Sequence, residues 1–135
     1  NIELTNYTSP FDGLGFEVSK IIQRHQLPKE SVFYSSFYWV NLAQIQRFIK
    51  DAKVGFLFEN YSVSRKFESF ILQPTFMHPS NKITSTMLVE QFHKNLQRVH
   101  VWTVNDAAEM KRLENIGVDS IFTDDPLLAQ KHFLD

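Results

Sequence analysis

Residues 99–123, VHVWTVNDAAEMKRLENIGVDSIFT, contain one complete strand–helix–strand unit, and this unit decides the fold. Val99–Val104 alternates along a short apolar run and predicts a buried strand. The next apolar residues recur every third position, the period of a helix face that packs on a sheet; they are Ala107, Met110, Leu113 and Ile116. Ser120–Thr123 then predicts a second strand. A helix between two strands indicates a parallel pair, and therefore an α/β fold.

Local signals mark where these helices begin and end. Asp106 with Glu109 has the spacing of a capping box, which satisfies free N–H groups in the first helical turn. Gly117 stands where the chain leaves the helix, a position that favours a left-handed backbone. Asp125 before Pro126 predicts a capping residue followed by proline in the first turn of a last helix.

The same alternation extends to the start of the chain. Four further strands are predicted, at Ile2–Leu4, Val32–Phe37, Val54–Phe58 and Thr75–Met77. Helical stripes separate them, formed by Leu14, Val18, Ile21, Ile22 and His25, by Leu42, Ile45, Phe48, Ile49 and Ala52, by Phe67, Phe70 and Ile71, and by Leu88, Val89, Phe92 and Leu96. Six strands fit an open doubly wound sheet or part of a (β/α)8 barrel. Periodicity does not separate these two, but both place functional groups at the carboxyl ends of strands.

Composition narrows the class of protein. The 135 residues are 43% apolar and 21% charged, as in one globular domain. A formal net charge of −1 gives no attraction to nucleic acid or anionic lipid. No apolar run approaches the roughly 20 residues that cross a bilayer. The chain has no cysteine, which excludes disulfides and thiolate metal sites, and its four glycines form no GxGxxG or Walker motif.

Glu3 is the first candidate for chemistry. It lies between Ile2 and Leu4, so its side chain points to the opposite face of the strand. If those neighbours pack on helices, Glu3 faces a barrel interior, where a carboxylate is costly unless it is paired or bound to a metal. Ca²⁺ and Mg²⁺ prefer such oxygen ligands. The alternative is a glutamate of an edge strand that faces solvent.

Two further positions close their strands. Trp102 lies near the end of its strand and could form the wall of a pocket, or it could be a core aromatic. In Ser35-Ser36-Phe37, small hydroxyl residues could leave room for a ligand beside Phe37, or they could serve packing and backbone hydrogen bonding. No GxSxG elbow surrounds the serines, so we expect no nucleophilic serine.

Weaker candidates have structural explanations. The five histidines form no HxH, HxxxH or HExxH pair, and only His78 is predicted near a strand end. Glu59 follows the strand Val54–Phe58 on the same face as Leu57 and could be a second carboxylate there, but a glutamate that faces a loop explains it as well. Asp124 and Asp125 look like a metal pair, although Asp125 is explained as the cap before Pro126.

Four segments together resemble the glycerophosphodiester phosphodiesterase family. Asn1–Leu4 resembles the family's NIE strand, and Ser35–Phe37 resembles its SSF strand end. Trp102–Asn105 resembles the WTVN motif, and residues 117–126 resemble the closing GVDGIITDxP. Order and spacing both fit over nearly the whole chain, and the last two motifs are the specific ones.

This resemblance implies the C-terminal part of a TIM-like (β/α)8 barrel, over residues 1–135. It implies metal-dependent hydrolysis of small-molecule glycerophosphodiesters to sn-glycerol 3-phosphate and an alcohol. It also implies that Glu3 is a ligand of a divalent cation, Ca²⁺ or Mg²⁺, and that Trp102, with Phe37, borders the substrate.

Two departures from the family pattern accompany the resemblance. The family usually has a lysine two residues after the glutamate, where this chain has Thr5. Its HRG and HD histidines and its ExD carboxylates belong to an N-terminal half with no counterpart in residues 1–135. Because the chain opens on Asn1 inside a strand-like segment, we expect upstream sequence. The N-terminal half of the same barrel is then the expected partner, and this chain contributes no catalytic histidine and is inactive alone.

Two other functions remain open from the sequence. Thr5 would suit a barrel relative that binds a phosphorylated ligand without turnover. An unrelated α/β enzyme would instead have an open sheet.

Overall fold

The computed structural model describes residues 1–6, 9, 11–27 and 29–134. It divides into two compact units, residues 1–76 and 77–135, and each is described by itself. Strands and helices alternate through both units, as the sequence predicts.

Among its described residues, the first unit contains three parallel strands and three α-helices. They are β1 (Ile2–Glu3), α1 (Leu14–His25), β2 (Tyr34–Ser36), α2 (Trp39–Phe48), β3 (Val54–Phe58) and α3 (Val63–Leu72), with a 3₁₀ turn at Lys29–Ser31 before β2. β1 pairs with β2 and β2 with β3, so strand order follows chain order. Parallel neighbours joined by helices are the predicted arrangement.

The core of this unit lies between α2 and the strands. Leu42 and Ile45 of α2 are completely buried, as are Val54, Phe56 and Phe58 of β3. Burying each large apolar side chain contributes about 1.5–3 kcal/mol. Since all five residues of β3 are buried, a continuous apolar run, rather than an alternating one, identifies this strand.

Helix α3 corrects one prediction. It begins at Val63, and the predicted core stripe faces solvent, with Phe67 64% and Phe70 76% exposed. The buried residues of α3 are Ser69 and Leu72. The helix is rotated in this way because Arg65, on the Ser69 face, lies over the ring of a core phenylalanine of β3.

The second unit continues the alternation. It contains β4 (Phe76–Pro79, whose first residue ends the first unit), α4 (Thr86–Lys94), β5 (Arg98–Val101), α5 (Ala107–Asn115), β6 (Ser120–Ile121) and α6 (Pro126–Leu134), with a 3₁₀ turn at Asn81–Ile83. β5 and β6 are parallel. The core here includes Met77, Phe92, Val99, Met110 and Leu113, all completely buried.

The predicted helix ends are confirmed in this unit. The Asp106 carboxylate accepts a 3.0 Å bond from the Glu109 backbone N–H at the start of α5. Gly117 follows α5 with φ of +81°. Asp125 accepts a 2.9 Å bond from the Leu128 N–H and caps α6, which explains this carboxylate without a metal.

Four strands, namely β1, β2, β5 and β6, end earlier than predicted, and in β2 and β5 this moves a candidate residue out of the strand. β2 stops at Ser36, so Phe37 lies just beyond it, and β5 stops at Val101, so Trp102 follows the strand. Trp102 retains one parallel bridge, to Ser80. Both predicted pocket residues therefore lie in the connections that follow strands.

The longest helix in the described ranges is α1, with 12 residues. A bilayer needs about 20. Accordingly, none of the helices in these ranges could span a membrane.

Candidate functional site

Glu3 ends β1 and points away from the helices of the first unit. It is in register with Ser35 of β2, so the two side chains share one face of the sheet. The next residue of β2, Ser36, bonds Asn41 of α2 and thereby marks the opposite, helix-covered face. The carboxylate of Glu3 is exposed, and its described polar contact is Thr5 Oγ1 at 3.4 Å. This is the orientation that the alternation of Ile2, Glu3 and Leu4 predicts.

Ser36 has a structural role in a buried polar network. Its hydroxyl donates a 2.8 Å bond to the carbonyl of Leu4 and accepts bonds of 3.1 Å from the Tyr38 N–H and from Asn41 Nδ2. Asn41 also donates to Asn6 Oδ1. The network joins the ends of β1 and β2 to the start of α2, and it confirms backbone satisfaction as the role of this serine.

Ser35 differs from Ser36. Its side chain is completely buried on the face that Glu3 shares, and its hydroxyl has no hydrogen-bond partner among the described residues. Phe37 follows the strand and is half-buried. Glu3 and Ser35 thus share one face at neighbouring strand ends, and Phe37 follows in the connection after β2.

Arg65 is a functional candidate that the sequence analysis missed. Its Nη1 donates 2.8 Å to the carbonyl of Phe37 and 2.9 Å to Glu68 Oε2. Its guanidinium also lies 5.4 Å from the ring centroid of Phe56. These three contacts fix a cation beside Phe37. Arg65 and Phe37 are 28 residues apart in sequence, so no local sequence pattern indicates their contact.

Trp102 lies in the second unit and is half-buried after β5. Its indole N–H donates a 2.7 Å bond to the carbonyl of His78 in β4. The side chain is therefore fixed at its indole edge and half-buried.

His78 itself is completely buried and belongs to an aromatic cluster. Its ring stacks on His100 with centroids 5.1 Å apart, and Phe122 contacts it edge-on at 5.2 Å. Burial, assisted by the nearby His100, lowers the pKa of His78 to about 3. His78 is therefore neutral near pH 7, and packing explains it.

The two specific motifs stabilise loops in this unit. Asn105 of WTVN donates 2.8 Å to Asp124 Oδ2, while its Oδ1 accepts from Thr123 Oγ1 and from the Asp124 N–H. These bonds explain Asp124 as a loop residue, without a metal ion shared with Asp125.

Asp119 of GVD joins β5 to α4. It accepts 2.8 Å bonds from the Val99 N–H and from His93 Nε2. Its burial acts to raise the pKa of the carboxyl, but the bonds from Val99 and His93 outweigh that effect and hold the pKa below its usual value. The Asp119 side chain therefore has a structural role, because it links β5 to α4.

Metal ligands are sparse in what the structure describes. Across residues 1–6, 9, 11–27 and 29–134, no group of three or more histidine, aspartate or glutamate side chains could hold an ion. Over the same ranges Glu3 forms no ion pair, so its carboxylate is available as one ligand. Ca²⁺ takes six to eight oxygen ligands and Mg²⁺ takes six. Glu3 therefore fits such an ion only as one member of a larger set.

Comparison with families and sequences identifies relatives of this chain. The sequence model of the glycerophosphoryl diester phosphodiesterase family matches residues 11–128. A glycerophosphodiester phosphodiesterase of Caldanaerobacter subterraneus is 30% identical in an alignment of 131 residues, which covers 93% of this chain and 51% of that protein. One from Bacillus altitudinis is 27% identical over 97% of this chain and 54% of its own. The chain thus spans about half the length of these relatives.

Solved structures show the same fold. An Oleispira antarctica phosphodiesterase in complex with the product sn-glycerol-3-phosphate superposes with a TM-score of 0.85 at 19% identity, over 98% of this chain and 53% of that one. A glycerophosphodiester phosphodiesterase from Parabacteroides distasonis superposes with a TM-score of 0.82 at 24% identity, over 96% of this chain and 54% of that one. The match confirms the predicted fold class, part of a TIM-like (β/α)8 barrel.

Proposed function

The chain belongs to the glycerophosphoryl diester phosphodiesterase family, and from this premise we propose that its protein hydrolyses glycerophosphodiesters to sn-glycerol 3-phosphate and an alcohol. The observation that carries the proposal is the family match over residues 11–128. The names of the two sequence relatives and the product bound to the Oleispira antarctica structure support it.

In this proposal Glu3 is one ligand of a divalent cation, Ca²⁺ or Mg²⁺. Its exposed carboxylate at the carboxyl end of β1 supports that role, because enzymes with parallel strands gather their sites there. When bound, the cation would neutralise charge that develops on the phosphoryl oxygens. Further oxygen ligands have to come from other residues.

Phe37 and Trp102 are proposed as apolar walls for the glycerol moiety. Both are half-buried and both follow the carboxyl end of a strand. Each is also held in place: Arg65 binds the carbonyl of Phe37, and the His78 carbonyl binds the indole of Trp102. Fixed walls orient a substrate without the entropic cost of ordering side chains on binding.

The proton transfers are assigned elsewhere in the barrel. His78 is buried and neutral, so it is poorly suited to exchange a proton with a bound diester. We therefore propose that the N-terminal half of the same barrel contributes the general acid and base and the remaining metal ligands.

A direct assay tests the proposal. Full-length protein should release sn-glycerol 3-phosphate from glycerophosphoethanolamine, lose this activity with a chelator, and regain it with added Ca²⁺ or Mg²⁺. Release that persists without metal would reject the cation, and no release under any condition would reject the reaction.

One alternative has a specific observation in its favour. Thr5 replaces the lysine that the family resemblance implies, which suits a protein that binds a phosphorylated ligand without turnover. Tight binding of glycerol 3-phosphate by a protein that releases no product would establish this alternative.

A further inference from the structure

A cavity of the first unit lies in the connections that follow β2 and β3. Its volume is about 410 Å³, within the roughly 300–1,000 Å³ typical of small-molecule sites. Its lining consists of Phe11, Tyr38, Trp39, Val40, Asn60, Ser62, Ser64, Arg65 and Glu68. The proposed function assigns no ligand to this cavity.

The lining combines aromatic faces with hydrogen-bonding groups of both kinds. Tyr38 and Trp39 are at least partly exposed at the start of α2. Asn60 supplies an amide, and the hydroxyls of Ser62 and Ser64 lie 2.9 Å apart. Five of the nine lining residues are polar or charged, and a purely apolar ligand would remove them from water without forming new hydrogen bonds to them.

The charges in the lining balance each other. Arg65 is fixed by its bonds to the Phe37 carbonyl and to Glu68, the latter at 2.9 Å. Because Glu68 neutralises Arg65, the cavity does not favour a free anion over a neutral molecule. Charged groups nevertheless form strong hydrogen bonds with hydroxyls, Arg65 as donor and Glu68 as acceptor.

We propose that this cavity binds a neutral polyol, namely the sugar-like or inositol alcohol of a glycerophosphodiester. The C–H faces of such a ring pack on Tyr38 and Trp39, while its hydroxyls bond Asn60, Arg65 and Glu68. The Arg65 bond to the Phe37 carbonyl joins the cavity to the proposed glycerol wall. The assignment rests on the proposed function, because it names the substrate's alcohol.

The first test measures binding without turnover. Full-length protein is titrated with myo-inositol by calorimetry or by saturation-transfer NMR, and inorganic phosphate is the comparison. Tyr38→Ala and Asn60→Ala should each weaken inositol binding about tenfold. Phe67→Ala removes an exposed aromatic that does not line the cavity, and it should change nothing. Absence of inositol binding, or equal affinity in all variants, would overturn the proposal.

The second test compares two diesters, glycerophosphoinositol and glycerophosphoethanolamine. Tyr38→Ala should raise KM about tenfold for the inositol diester and less than twofold for the ethanolamine diester. Equal effects on both diesters would overturn the assignment. If the protein cleaves neither diester but binds inositol through Tyr38, the proposed reaction fails while the polyol site stands.

Discussion

The indole N–H of Trp102 donates a 2.7 Å hydrogen bond to the backbone carbonyl of His78, which joins the segment after β5 to β4. This bond gives Trp102 a structural role, in addition to its proposed role as a wall of the substrate site. Those two roles can be separated by substitution.

Trp102→Phe keeps an aromatic wall and removes the donor. We expect a loss of about 0.5–1.5 kcal/mol in the free energy of unfolding, because one hydrogen bond, from the indole N–H to the carbonyl of His78, is removed. Urea denaturation measures it. Trp39→Phe is the matched control, since no hydrogen bond from its indole to a described residue is found, and it should change stability by less than about 0.5 kcal/mol. Equal losses in both variants would show that the bond is unimportant.

Glu3→Gln keeps the shape of the side chain and removes its charge. Because Glu3 is exposed, the fold should stay intact, while affinity for Ca²⁺ or Mg²⁺ should fall about 10–100-fold. Calorimetric titration of full-length protein measures the affinity, and circular dichroism checks the fold. Glu90→Gln, an exposed glutamate of α4, is the control and should bind metal normally.

Trp102→Ala tests the substrate wall against the metal ligand. It should raise KM for a glycerophosphodiester several-fold and leave metal affinity nearly unchanged, since an indole is no cation ligand. Loss of metal affinity in Trp102→Ala, or normal affinity in Glu3→Gln, would contradict the two assigned roles.

Much of the fold follows from periodicity. Val54–Phe58 was predicted with its observed bounds, because a buried apolar run between polar residues has few alternatives. Met110 and Leu113 pack as predicted, because the capping residue Asp106 fixes where α5 starts. Residues adjacent in sequence determine these features, so the sequence pattern predicts them.

Contacts between distant residues explain what was missed. The stripe of Phe67 and Phe70 suggested the buried face of α3, but Arg65 faces the sheet, where it lies over the ring of Phe56. Asn41 joins Asn6 across 35 residues. Neither pairing has a local signature, because each depends on how strands and helices assemble.

Asn105→Asp tests the contact between the two motifs that define the family resemblance. Asn105 donates to Asp124, so an aspartate there places two carboxylates in contact. Repulsion raises the pKa of the new carboxyl, and stability should therefore fall as the pH rises and both groups ionise. Because the contact is exposed, we expect a loss of at most about 1 kcal/mol at pH 7 and a smaller loss at pH 4, by urea denaturation. A pH-independent loss would indicate that only a donor is missing.

His78 should make the protein sensitive to acid. Its folded pKa is about 3 because burial, assisted by His100, disfavours the charged ring. The unfolded chain has a histidine pKa of about 6.5. Between these values the unfolded state binds the extra proton, so stability falls as the pH drops from about 6.5 towards 3, by at most about 1.4 kcal/mol per unit from this residue. His78→Phe should reduce that slope in urea denaturation series, while His25→Gln at the exposed end of α1 should not. An unchanged slope in His78→Phe would mean that acid sensitivity arises from other groups.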